Sequence, residues 1–255
     1  MKRLLKELFF RLAPSGPLPQ DRASILMYHS ITDRAGHFNS VAPRAFEQHL
    51  AHLARHNVPV IPLGELVRRL QQRIPLGGAV AITFDDGFRN NFQHALPLLK
   101  KYGYPATVFV VTDRIGTTDA KRGLEYMSAD EIKEMEASEL IAIEPHTMSH
   151  PKLAALAAAA ARNEIEGSRT HIESLLGKRA ALFAYPYGNF SDETARIVSE
   201  CGYDAAVTVE EGTVGPDAPL YRLPRNSIDA STTLAQFKGK ISTAIDSLQA
   251  VKIWK

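Results

Sequence analysis

From residue 23 onward, short apolar runs and longer amphipathic stretches alternate some seven or eight times along this chain. The runs at 24–28, 58–61, 79–84, 106–111, 140–143, 182–185, 204–209 and 221–223 are too short for helices. They are also rich in β-branched and aromatic residues, so they are predicted to be strands. Between them, Pro43 is suited to the first turn of a helix with Phe46, Leu50 and Leu53 along one face. Further helices are expected over 64–72, 90–102 with a kink at Pro97, 128–138 with Ser128 and Glu131 as a capping box, 153–176, 191–201 and 232–248. Strand–helix alternation of this kind demands a parallel sheet with helical crossovers, closed as a barrel or left open. Polar residues follow directly on several predicted strands: His29, Asp85 with Asp86, His146 with His150, Tyr185 to Tyr187, and Arg225. A barrel gathers all such ends at one mouth, whereas an open sheet gathers mainly those at its switch point. The pattern therefore favours the barrel.

The remaining composition narrows the function classes. A formal net charge of +2 gives no basic footprint for nucleic acid. Cys201 is the single cysteine, so neither an intrachain disulfide nor a thiolate metal cage can form. No apolar run approaches the roughly 20 residues of a membrane span. Residues 1–12 put Leu5, Leu8, Phe9 and Leu12 on one helical face and basic residues opposite, a pattern suited to peripheral contact with an anionic membrane. A helix packed on the domain fits the same pattern. Its apolar core is too short and too interrupted for a secretory signal, so a cytoplasmic protein, at most peripheral at the inner membrane, is expected. Pro14, Pro17 and Pro19 mark a linker, which divides the chain into an N-terminal segment over 1–22 and one domain over 23–255.

The stretch Ala79-Val-Ala-Ile-Thr-Phe-Asp-Asp-Gly87 runs a buried strand into two carboxylates. Charges there are costly without a partner or a metal. Neighbouring strand residues point to opposite faces, which separates Asp85 from Asp86, and Gly87 permits a turn with positive φ. A pair of helix-capping aspartates is the competing reading. His146 and His150 lie four residues apart and add two imidazoles, which with one carboxylate suit a catalytic divalent metal. The other carboxylate is then free to act as general base. A histidine suits the general acid, and the Tyr187 N–H in Pro186-Tyr187-Gly188 is a candidate oxyanion donor. His49, His52 and His56 also show helical spacing but lack accompanying carboxylates, and are read as an exposed face.

Thr-Phe-Asp-Asp-Gly at 83–87, His-Thr-Met-Ser-His-Pro at 146–151 and Phe-Ala-Tyr-Pro-Tyr-Gly at 183–188 resemble the motifs of the polysaccharide deacetylases. These form the nodulation-protein homology group, the fourth family of carbohydrate esterases. The resemblance extends to Leu-Met-Tyr-His at 26–29 and over 43–70, and spans roughly residues 24–230. It implies a distorted, incomplete (β/α) barrel of about seven strands and metal-dependent removal of acetyl from an N-acetylated amino sugar. By position it makes Asp85 the general base and assigns Asp86, His146 and His150 to a divalent ion, usually zinc, with the Tyr187 N–H at the oxyanion.

Two departures stand out. Ala184 occupies a position where many members carry an arginine directed at the base, and no histidine follows His171 to serve as a C-terminal acid. The branch similar to the poly-β-1,6-N-acetylglucosamine deacetylases shares the Ala-Tyr-Pro turn and an early Tyr-His, and the early histidine acts as its acid. His29 is thus the candidate acid and Arg225 the candidate partner of Asp85, against a capped strand end and a surface salt bridge as plainer roles. Glu144 is either a partner of a ligand histidine or solvent-facing. The expected function is deacetylation of a polysaccharide or glycan precursor. Deacylation of a lipid-linked sugar at the membrane face and an inactive glycan-binding homologue are the alternatives.

Overall fold

The computed structural model describes residues 7–11, 16–33, 39–120 and 123–250. Five parallel strands form the main sheet: β1 (Ala23–Tyr28), β2 (Ala79–Phe84), β3 (Ala106–Val110), β4 (Ile141–Pro145) and β7 (Asn226–Ser227), in the order β7-β1-β2-β3-β4. A second parallel pair, β5 (Leu182–Ala184) and β6 (Ala205–Val207), completes the ring of seven. One join is made by backbone. Thr208 N–H donates to the Leu223 carbonyl and Leu223 N–H to that of Ala206, and β7 follows shortly after.

The other join, between β4 and β5, has no backbone ladder and is bridged by side chains. Both the Ala181 and Leu182 N–H groups donate to Oε2 of Glu144, at 2.9 and 3.0 Å. His146 Nδ1 lies 2.7 Å from the Ala184 carbonyl. This seam makes the barrel distorted and incomplete, as expected. Glu144 is buried, and its hydrogen bonds go to these two N–H groups rather than to a ligand histidine or out to solvent, unlike either role expected of it. Burial raises its pKa to about 7, while the two N–H donors pull in the opposite direction.

The strands are buried on both faces, as a parallel sheet under helical crossovers requires. Along β2, Val80, Ile82 and Phe84 pack in the cluster under α1 (Pro43–Arg55) and α3 (Leu96–Tyr102), while Ala81 packs in the barrel interior with Ile25, Phe109 and Val207. Continuing that inward series, Thr83 and then Asp85 come to the mouth. The helices α2 (Leu63–Gln72), α4 (Ala129–Glu136), α5 (Ala158–Leu176), α6 (Asp192–Glu200), α7 (Leu234–Lys240) and α8 (Ala244–Ala250) complete the shell.

Several expected elements differ in detail. Residues 58–61 make only a bridge, Val60 to Val80, because β1 holds one edge of β2 along its length and β3 takes the other edge from Thr83 on. The helix over 153–176 is interrupted after a short 3-10 turn, Leu153–Ala155, and restarts at Ala158. Residues 220–222 form a 3-10 turn, so the last strand falls later, at 226–227. The C-terminal helix is split into α7 and α8. Before Pro97, a π-helical turn over Asn91–Ala95 absorbs the hydrogen bond that proline cannot make.

His49 is buried rather than exposed. Its ring stacks on Phe237 at 4.2 Å and its Nδ1 lies 3.1 Å from the Tyr28 hydroxyl, because α7 covers that side of α1. In the N-terminal segment, Phe10 is buried against Ala244, Ile245 and Leu248. Of the expected amphipathic face, Phe9 packs partly against the same cluster and Leu8 is exposed, while Leu5 and Leu12 lie outside the described residues.

Candidate metal centre and active site

The mouth of the barrel is built by the ends of β1, β2, β4 and β5, with Arg225 contributed from just before β7. Beyond β2 the inward face delivers Asp85, which is almost wholly buried. Its two carboxylate oxygens accept from Arg225 Nη1 at 2.6 Å and Nη2 at 2.7 Å, a bidentate pair. Arg225 is fully buried, so it is no surface ion pair. Its Nε donates to the Thr208 carbonyl at 2.8 Å, Nη1 also reaches Thr83 Oγ1 at 3.1 Å, and the guanidinium lies over the Phe109 ring. Burial alone would raise the Asp85 pKa. The Arg225 charge and hydrogen bonds, with His146 and His29 adding to them, hold it well below the usual carboxylate range.

Asp86 departs from the strand with φ 72°, and Gly87 follows with φ 74°. The turn, added to the strand alternation, carries Asp86 away from Asp85. A side chain at Gly87 would press on Val110, with its Cβ 3.2 Å from both methyls. One oxygen and one ring nitrogen then meet across the mouth, Asp86 Oδ1 and His150 Nε2, at 3.3 Å. His146 arrives from the end of β4, and its ring centroid is 4.9 Å from that of His150. The hydrogen bond to Ala184 settles the proton on His146 Nδ1 and leaves Nε2 as a lone-pair donor.

Asp86, His146 and His150 each offer a donor atom, and all three atoms lie within 4.8 Å of one another. Asp86 Oδ1 and His150 Nδ1 are buried without a hydrogen-bond partner. An unpaired buried carboxylate oxygen facing two imidazoles is what a divalent ion would satisfy, so the residues fit such an ion. Burial lowers the pKa of both histidines, to about 4 for His150, where His146 adds to the effect, which keeps the imidazoles neutral and able to ligate.

The loop that carries the two histidines is strained and tightly held. Thr147, His150 and Asp86 all adopt left-handed backbone conformations, as does Tyr187. Glu164, on α5, accepts from the Met148 and Ser149 N–H groups, both at 2.9 Å, and from Ser149 Oγ at 2.6 Å. Thr147 Oγ1 accepts from His150 N–H at 3.0 Å. Neither role was foreseen from sequence. Glu164 is one of several carboxylates on a polar helix, and its local pattern gives no sign of its target. Tyr187 sits in the Pro186–Gly188 turn with its ring 4.5 Å from that of His150, edge to face. Its N–H donates to no carbonyl among the described residues. His29 lies directly after β1, half-buried and within electrostatic reach of Asp85. All seven site residues expected from sequence therefore belong to this one mouth.

Residues 74–206 match the model of the family described as polysaccharide deacetylase. YxkH of Bacillus subtilis, assigned to the polysaccharide deacetylases, is 31% identical over 220 residues, covering 86% of this chain and 76% of that protein. The chain belongs to the polysaccharide deacetylase family. A poly-β-1,6-N-acetyl-D-glucosamine N-deacetylase of Staphylococcus epidermidis is 29% identical, covering 76% of this chain and 71% of its own. Among solved structures, the deacetylase PplD of Streptococcus pyogenes superposes with a TM-score of 0.78 at 25% identity, over 88% of this chain and 99% of that one. IcaB of Ammonifex degensii gives 0.75 at 25% identity, over 89% and 99%. The deacetylase is thus a hydrolase of N-acetyl groups on an amino-sugar glycan, and the expected likeness to the poly-β-1,6-N-acetylglucosamine branch holds. Nothing in these comparisons favours a lipid-linked sugar or an inactive binder. No helix among the described residues is long and apolar enough to cross a membrane.

Proposed function

We propose that the deacetylase removes acetyl from N-acetylglucosamine units of a β-1,6-linked polymer, with Asp86, His146 and His150 holding a zinc ion. The observation that carries this reading is the separation of the two aspartates. Asp86 faces the imidazoles, while Asp85 is held ionised and turned to Arg225. When bound, the ion supplies Lewis acidity at the substrate carbonyl. In this reading Asp85 takes the proton of the attacking water. The ion pair with Arg225 fixes the direction of its lone pairs and keeps it ionised at every working pH.

The free Tyr187 N–H donates to the oxygen that gains charge as the carbonyl becomes tetrahedral. His29 gives its proton to the departing amine as the carbon–nitrogen bond breaks. The Tyr187 ring, 59% exposed beside His150, offers an apolar face to a sugar. The β-1,6 linkage rests on the similarity to the Staphylococcus epidermidis enzyme.

Acetate release from β-1,6- and β-1,4-linked N-acetylglucosamine oligomers, alongside metal analysis, tests this reading. Asp85→Asn should lose at least about 10²-fold in kcat with zinc still bound at one equivalent, whereas Asp86→Asn should lose the zinc. Zinc lost equally from both variants would reverse the two assignments. His29→Ala should lower kcat by about 10²-fold, most strongly where the acid form is needed, and an unchanged rate would remove it from the mechanism.

A further inference from the structure

At the far end of the barrel, where the strands begin, lies a cleft of about 430 Å³. It is bounded by the segment before β1, the end of α1, the Gly77–Gly78 turn into β2, and α7. Part of the lining is basic. His52 and His56 sit one turn apart on the α1 end with ring centroids 4.3 Å apart, and Lys238 faces them from α7. The charged groups that act on His52 are His56, Lys238 and Arg55, and none is an acid. None of these four groups has a carboxylate in ion-pair contact among the described residues. Residues 1–6 and 12–15, outside the description, contain no Asp or Glu, so no acid from there can neutralise the cluster.

Leu18, Val58, Pro59 and Ile241 add apolar surface to the lining. The Gly78 N–H, at φ 63°, donates to no carbonyl among the described residues. The Lys238 charge, unpaired in a concave, partly apolar site beside two imidazoles, focuses positive potential and calls for an anion. Burial and the cationic neighbours push His52 down to about 4, so without an anion its ring is a neutral donor beside fixed charge. A phosphate dianion would reverse that, taking up a proton as it binds.

We propose that this cleft binds phosphate esters, the phosphate on His52, His56 and Lys238 and the organic body on the apolar wall. The cleft has far more room than a phosphate group fills, and its mixed basic and apolar lining matches an ester rather than the bare ion. The site lies apart from the catalytic mouth and does not depend on the reaction assigned there.

The test follows the histidine Cε1–H resonances of the full chain during titration with glycerol 3-phosphate, and separately with vesicles of phosphatidic acid in phosphatidylcholine. The His52 and His56 resonances should move in at least one arm, with the His52 pKa rising by about one unit or more on binding. The first arm identifies a soluble ester as the source, the second a lipid headgroup, and a response in either supports the site. The triple variant His52→Ala, His56→Ala, Lys238→Ala should bind at least about tenfold more weakly and keep its rate of acetate release. Lys238→Glu gives the same reading should the triple variant fail to fold. No movement of these resonances in either arm, or undiminished binding in the folded variants, would overturn the proposal.

Discussion

Asp85 is asked to remain charged inside a protein, and Arg225 makes that possible. Both residues are desolvated, so the geometry must be nearly ideal for their attraction to offset burial, and two short parallel bonds provide it. The cost of breaking the pair is correspondingly high. Arg225→Met should destabilise the protein by about 3–5 kcal/mol in chemical denaturation, because it strands a buried carboxylate. The pH dependence has a definite sign. The folded pKa of Asp85 lies below its ordinary value of 3.8, so the pair stabilises the fold above that value and the stabilisation fades as pH falls toward the folded pKa. In Arg225→Met that acid sensitivity should largely disappear. The acid limb of kcat/KM should also move upward in pH, as Asp85 loses the charge that keeps it ionised.

At the scale of elements, the β4–β5 seam separates this barrel from a closed one. A side-chain carboxylate stands in for a ladder of backbone hydrogen bonds. Both N–H groups converge on Oε2 of Glu144, leaving Oε1 able to carry a proton, and burial raises the pKa to about 7 from an ordinary 4.5. A raised carboxyl pKa contributes stability that is complete below the unfolded value and is lost as pH rises through the folded one. Thermal melting of the wild type minus that of Glu144→Gln should therefore decline between about pH 5 and pH 8. Glu144→Leu, which orphans both donors, should cost about 1–3 kcal/mol for each.

The sequence made the seam hard to foresee. The strand–helix alternation and the mouth were legible, because hydrophobic period and strand-end polarity are local signals, whereas the count of seven strands came from the family resemblance and the strand order from neither. Which strands fail to meet, and which side chain fills the gap, depends on the angles between elements. The same limit hid Glu164, whose three contacts lie well away in the chain, and misplaced His49, which α7 covers from nearly two hundred residues on. The separation of the aspartates was legible, but its cause lies in the left-handed backbone at Asp86 as well as the strand alternation. The distant pairing of Asp85 with Arg225 was reached through the family's missing arginine rather than through any pattern around residue 225.

Seen as a whole, the molecule keeps its chemistry at the end where strands finish and its cationic cleft at the end where they start, with a packed interior between. The closing helices pack against the short helical stretch over residues 7–11. Phe10 seats against Ala244, Ile245 and Leu248, and a Cβ on Gly239 would fall within the Phe10 ring contact, at 1.9 Å. His146 has two functions in this architecture. One ring nitrogen faces Asp86 and His150, while the other is fastened to Ala184 across the seam. With an ion held there as proposed, its occupancy and wall closure would be thermodynamically linked through a single imidazole. Stripping the ion with a chelator should lower the melting temperature and speed deuterium uptake at the Ala181 and Leu182 amides, leaving amides in β1 and β2 near their original rates. Uniform acceleration everywhere would mean that the ion braces the whole scaffold rather than this one wall.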